Sequence, residues 1–108
     1  MTLNDQRRAT WRTVRAAKSQ VEEAAFYLAK QQKVTGLGPS IVSCVWFAPD
    51  KRRRDADSVA PFLKAALDGL VKAGVWPDDN SDFVTEVRMS IDNTQSVNPR
   101  IEIIVKEI

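Results

Sequence analysis

Residues 41–47, IVSCVWF, are almost all apolar, and β-branched or aromatic side chains dominate them. The run is too short for a self-burying helix and far below the eighteen or so residues of a membrane span, so it reads as a strand covered on both faces. Two glycines and a proline in TGLGPS, residues 35–40, turn the chain into it, and Pro49 stops it. Cys44 sits inside the strand as a small core residue. A strand of this kind needs partner strands and helical cover, and the remaining sequence has to supply both.

The cover lies on either side. Between residues 4 and 32, Val14, Ala17, Val21, Ala24 and Leu28 recur at alternating three- and four-residue steps, the stripe of a long amphipathic helix. Arg7, Arg8, Arg12, Arg15 and Lys18 fall on an adjoining arc of about 140°. That basic stripe reads either as a solvated face or as a track for phosphates. A second stripe, Val59, Leu63, Ala66, Leu67, Leu70 and Val71, predicts a helix over residues 58–73. Pro61 belongs in its first turn and Gly74 suits a left-handed C-terminal cap. Asp57 or Ser58 is placed to cap its start, and Lys64, Asp68 and Lys72 are spaced for an i,i+4 ion-pair ladder. Ala65, Gly69 and Ala73 recur every four residues, an arrangement that lets another backbone approach, the sheet ahead of a partner subunit.

Farther on, Phe83, Thr85, Val87, Met89 and Ile91 alternate with Val84, Glu86, Arg88, Ser90 and Asp92, and Ile101, Ile103 and Val105 alternate with Glu102, Ile104 and Lys106, which predicts two strands with one buried face joined by a loop over residues 93–99. The order is helix, strand, helix, strand, strand. The expected fold is therefore α+β, a small mixed sheet with two helices packed on it, and the whole of residues 1–108 forms one domain.

Composition narrows the chemistry. Sixteen Lys and Arg against fourteen Asp and Glu leave a net charge of only +2, so any case for nucleic acid rests on where the charges lie. A single cysteine excludes an internal disulfide and a cysteine-based zinc site, and the absence of histidine removes the commonest general base and metal ligand. Catalysis would use carboxylates, a lysine or a hydroxyl. The start of the chain lacks the apolar core of a signal peptide, which points to a reducing cytoplasm and away from a membrane.

The junction KRRRDADS, residues 51–58, crowds four cations against two carboxylates. In extended backbone Asp55 and Asp57 project to the same side about 7 Å apart, close enough to bracket a hydrated cation. Asp78 and Asp79, in the turn VWPDDNSD, close the other side if that turn returns along the second helix. In a simple parallel crossover the two acidic pairs instead lie at opposite sheet ends. Helix capping and turn formation are the competing uses of these carboxylates.

RRRDADS followed by LKAALDGLVKAGVWPDDNSDFV resembles the signature of the RusA-type Holliday-junction resolvases, small metal-dependent endonucleases common in phages and prophages. Their pattern is R-x-D-x-D-N, a helix carrying K-A-x-x-D-x-L, then A-G-x-x-x-D-D. The resemblance implies that Asp55, Asp57 and Asp79 are essential acids and metal ligands, that Asp78 assists them, and that Lys64 is the catalytic lysine. It further implies Mg2+ as cofactor, with Mn2+ as a substitute, and an α+β homodimer that places two active sites across a four-way DNA junction. The activity implied is phosphodiester hydrolysis in recombination and repair, in the cytoplasm of a bacterial host and from a phage or prophage gene. Arg52, Arg53 and Arg54, with Arg7, Arg8 and Arg12, would neutralise phosphates without reading sequence. Three features depart from the pattern. Ser58 replaces the Asn, Lys64 stands three positions late, and only Met1, Thr2 and Leu3 precede the segment that should follow an opening strand, so that edge strand is expected to be missing. The alternative is a catalytically silent nucleic-acid-binding or assembly module of the same fold.

Overall fold

The computed structural model describes residues 3–5, 14–94 and 99–108. Its elements are β1 (Leu3–Asp5), α1 (Val14–Gln31), β2 (Ser40–Phe47), a single 3-10 turn (Ala56–Val59), α2 (Ala60–Lys72), β3 (Val84–Asp92) and β4 (Arg100–Glu107). The α+β class and the mixed sheet are as the sequence indicates. The opening strand, however, is present. Three residues of β1 pair antiparallel with β4, from Leu3 against Ile103 to Asp5 against Ile101, and the order becomes β-α-β-α-β-β. Asn4 and Asp5, assigned above to the first helix, belong to this strand. So short a segment is enough because β4 presents a ready row of backbone groups to it, and the ladder rather than local propensity decides its conformation.

The sheet order is β1-β4-β2-β3. β2 lies between β4, antiparallel, and β3, parallel, with α2 as the crossover between the parallel pair. On the helix side Val42 and Cys44 of β2 and Val105 of β4 are wholly buried, whereas Ile41, Ser43 and Val45 on the opposite face are only half-buried. The expectation of two covered faces for β2 is thus corrected. The helices of the described chain cover one side, and β2 is apolar throughout because it is the central strand. β3 also departs from the expected one-face burial, since its middle residues are exposed on both faces.

The two helices pack on each other as well as on the sheet. From α1, Val21, Ala25 and Ala29 enter the core, and from α2 Phe62, Leu63, Ala66, Leu67 and Leu70 do so. At Gly69 the small-residue stripe of α2 serves the helix pair. A Cβ on Gly69 would come within 2.2 Å of the Glu22 carbonyl oxygen and 3.1 Å of the Ala25 Cβ. Both helices end alike. Val34 N–H donates to Ala29 C=O and Lys33 N–H to Lys30 C=O, while Val75 N–H donates to Leu70 C=O and Gly74 N–H to Val71 C=O. These are Schellman caps whose left-handed residues are Lys33 (φ 58°) and Gly74 (φ 88°). The two caps are then joined by backbone hydrogen bonds from Gly36 to Gly74 and from Leu37 to Val75. Among the described residues no helix is long and apolar enough to cross a membrane.

Candidate active site

The topology fixes where each expected site residue lies. Asp55 and Asp57 follow the C-terminal end of β2, whereas Asp78 and Asp79 precede the N-terminal end of β3. Because β2 and β3 run parallel, these are opposite ends of the sheet, the second of the two arrangements the sequence allowed. Among the described residues no three Asp, Glu or Cys side chains gather as a metal-holding group within one chain.

At the β3 end, Lys64 carries the contacts. Its Nζ lies 3.0 Å from Asp68 Oδ1 and 3.0 Å from Asp79 Oδ2. The Asp68 carboxylate first, and Asp79 second, hold the Lys64 ammonium above its ordinary value, and the Lys64 ammonium in turn holds Asp79 below the usual carboxylate range. Asp78 is turned to local work. Its Oδ1 accepts the Asp79 backbone N–H at 2.8 Å and its Oδ2 accepts the Asn80 amide at 3.3 Å. The third member of the expected ladder leaves it, because Lys72 pairs with Glu22 of α1 at 3.0 Å. Together these residues line an open groove of about 280 Å³ between α1, α2 and the turn before β3. Lys64 and Asp79 were both expected at the site, and the structure brings them together. Asp68 was read only as part of a surface ladder.

At the other end, the charges of the junction pair differently from the simplest reading of KRRRDADS. Arg54 donates to Asp50 Oδ1 at 2.9 Å and to the carbonyls of Asp50 and Arg52, and its guanidinium lies 4.9 Å from the Trp46 ring centroid. Its side chain is only 14% exposed, against 79% for Arg52. Arg54, expected to meet DNA, is therefore occupied in holding the loop, while Arg52 and Arg53 face solvent. Asp50, which the sequence reading passed over, anchors this clamp. The Arg52 backbone N–H, then the Arg54 guanidinium, hold its carboxyl below the ordinary value. The signal available for it was only its opposite charge beside the arginine run, since residues 48–55 are not helical.

The carboxylates of Asp55 and Asp57 are left open. Asp55 precedes the 3-10 turn and Val59 precedes α2, yet neither end is closed by a side-chain hydrogen bond, and the Ser58 N–H goes to the Asp55 carbonyl. The capping role considered for Asp57 or Ser58 is not taken up. Both carboxylates are exposed and make no hydrogen bond or ion pair with the described residues. Such hard oxygen donors fit a divalent cation such as Mg2+. Arg7, Arg8 and Arg12 lie outside the described residues, as does the basic stripe they head.

Cys44 plays no part in this chemistry. It is completely buried, and burial pushes its thiol up to about 12.

A family model described as endodeoxyribonuclease RusA matches residues 2–106. Among curated proteins, none is similar enough to count as a relative. Nearly the whole chain is covered by the match, including both acidic pairs, Lys64 and the opening strand, and the chain therefore belongs to the RusA family of Holliday-junction-resolving endodeoxyribonucleases.

Proposed function

We propose that the chain is a homodimeric, divalent-metal-dependent nuclease that cuts four-way and other branched DNA during recombination and repair, as a phage-type member of its family. The observation that carries this reading is the state of Asp55 and Asp57. They are two exposed carboxylates free of any capping role, at the foot of a loop that presents Arg52 and Arg53 to solvent. Asp55 and Asp57 would hold the cation, with Asp79, helped by Asp78, contributed by the second copy of the homodimer, because within one chain the two acidic pairs lie at opposite ends of the sheet. Such a cation, Mg2+ or Mn2+, would when bound polarise a phosphoryl oxygen and activate a water. Arg52 and Arg53 fix the phosphodiester backbone, and Lys64, already poised between two carboxylates, is the cation available to a phosphate that enters the groove. No histidine is required for any of these roles.

The decisive measurement is nicking of a synthetic four-way junction with and without Mg2+. Asp57→Asn and Asp79→Asn are each expected to abolish nicking while junction binding survives. Mg2+ should raise the melting temperature of the wild type and not that of the variants. Full binding with no nicking by the wild type in Mg2+ or Mn2+ would replace this reading with the silent DNA-binding module.

A further inference from the structure

Lys64 and Asp68 face each other across one turn of α2, with Lys64 Nζ 3.0 Å from Asp68 Oδ1. As a device for stabilising the helix the pair is poorly made. The favourable i,i+4 order sets the acid N-terminal to the base, and here the base comes first. Aspartate is also among the weakest helix formers short of glycine and proline, yet Asp68 stands in the interior of α2, directly before Gly69. Two poor helix formers in succession need separate reasons. Gly69 has one in the close approach of α1, and the reason for Asp68 lies in the side chain it holds.

That side chain has a second partner, Asp79, whose Oδ2 is also 3.0 Å from Lys64 Nζ. The two acids reach the ammonium from different elements. Asp79 comes from the turn before β3, whereas Asp68 shares a helix with Lys64 itself. They differ as well in what else would claim them. Asp79 is a carboxylate offered to the cation, and a divalent ion binds carboxylate oxygen at shorter range and with twice the charge of an ammonium. Asp68 belongs to neither acidic pair and keeps its oxygen for Lys64. An ammonium carries three N–H donors on a flexible four-carbon stem. Two are engaged by the carboxylates, which leaves the third for a ligand in the groove that Lys64, Asp68 and Asp79 line together.

We propose, on the nuclease reading above, that Asp68 is a positioning residue: it keeps the Lys64 ammonium in the groove, ready for a phosphate oxygen, when Asp79 turns from Lys64 to the cation. Without Asp68, Lys64 would depend on the one partner that leaves it. Its long stem would then be free to swing out of the groove. An ordinary surface ion pair has no such consequence, since its loss changes neither turnover nor the order of a side chain elsewhere held.

Asp68→Ala separates the two. Alanine is the better helix former, so the melting temperature should not fall, and Mg2+ should still raise it as in the wild type. Nicking of a four-way junction should nevertheless lose roughly tenfold or more in kcat, with KM and junction affinity nearly unchanged. Asp68→Glu, which returns a carboxylate within reach of Lys64, should recover most of that loss. Independently of cutting, nitrogen NMR relaxation of the Lys64 ammonium in the metal-free protein reports how firmly it is held. Asp79→Asn should leave the ammonium ordered, and D68A/D79N should free it. A wild type that cuts beside an Asp68→Ala chain that cuts as fast, or a Lys64 ammonium equally ordered with and without Asp68, would overturn the positioning role and leave the nuclease reading standing. A wild type that cuts nothing in Mg2+ or Mn2+ would overturn both.

Discussion

Lys64 balances two carboxylates at once, and its pH dependence follows from the directions of the shifts. Asp79 ionises below its ordinary 3.8 in the folded chain. Its contribution to stability is therefore complete above that value and is lost as pH falls through the lower folded-state value. Lys64 deprotonates above its ordinary 10.5, so its contribution is complete below that and is lost as pH rises through the higher folded-state value. Between the two limits the cluster should make stability flat in pH. Lys64 is 64% exposed, so Lys64→Met is expected to cost at most about 1 kcal/mol and to make the acid limb shallower. Urea midpoints of the two proteins across pH would measure both. Spacing alone makes the Lys64–Asp68 pair legible in the sequence. The bond to Asp79, fifteen residues away, depends on how the turn after α2 returns, and no local pattern encodes that.

The helix pair depends on a close approach at one residue. Alanine is the better helix former by about 1 kcal/mol, so on propensity alone Gly69→Ala should stabilise α2. The geometry predicts the reverse. The new methyl would meet the Glu22 carbonyl oxygen at 2.2 Å, and separating the helices would loosen Val21 and Ala25 against the core. A net loss of roughly 1–3 kcal/mol is expected from this overpacking, read as a lower denaturation midpoint with unchanged far-ultraviolet circular dichroism. Residues 58–73 read as a helix from sequence because Pro61, the apolar stripe and Gly74 agree. The surface that the small residues serve was not readable, since a backbone approached every four positions can belong equally to a sheet, a partner or a neighbouring helix. β1 was missed for a related reason. Three residues carry no periodicity, and only the open edge of β4 makes them a strand.

For the molecule as a whole, net charge says little and the placement of charge says more. Exposed arginines stand at one end of the described sheet, and the Lys64 groove with its acids lies toward the other. Junction affinity should fall with salt by a log–log slope of roughly 0.9 for each duplex phosphate contacted. Arg52→Ala should reduce that slope by about one contact. Arg54→Ala should leave it nearly unchanged while lowering the melting temperature, because Arg54 is engaged by Asp50 and Trp46. Anisotropy titrations at several salt concentrations separate the two. The α+β class could be read from the alternation of periods along the chain. That β4 crosses to the far side of β2 instead of pairing with β3 could not be read, because both arrangements bury the same alternating residues.

The clamp on Arg54 also gives the protein an optical handle. The indole of Trp46 lies beneath that guanidinium at the base of the arginine loop, whereas Trp76 is sealed in the core with its N–H on the Ser40 hydroxyl. The two chromophores sit in different surroundings and answer to different events. Emission from Trp46 should respond to disturbance of the loop on addition of junction DNA, and emission from Trp76 should stay constant until the fold itself opens. Once Trp11 is replaced by Phe, one intrinsic spectrum is expected to record both disturbance of the arginine loop and integrity of the core, without a label on either.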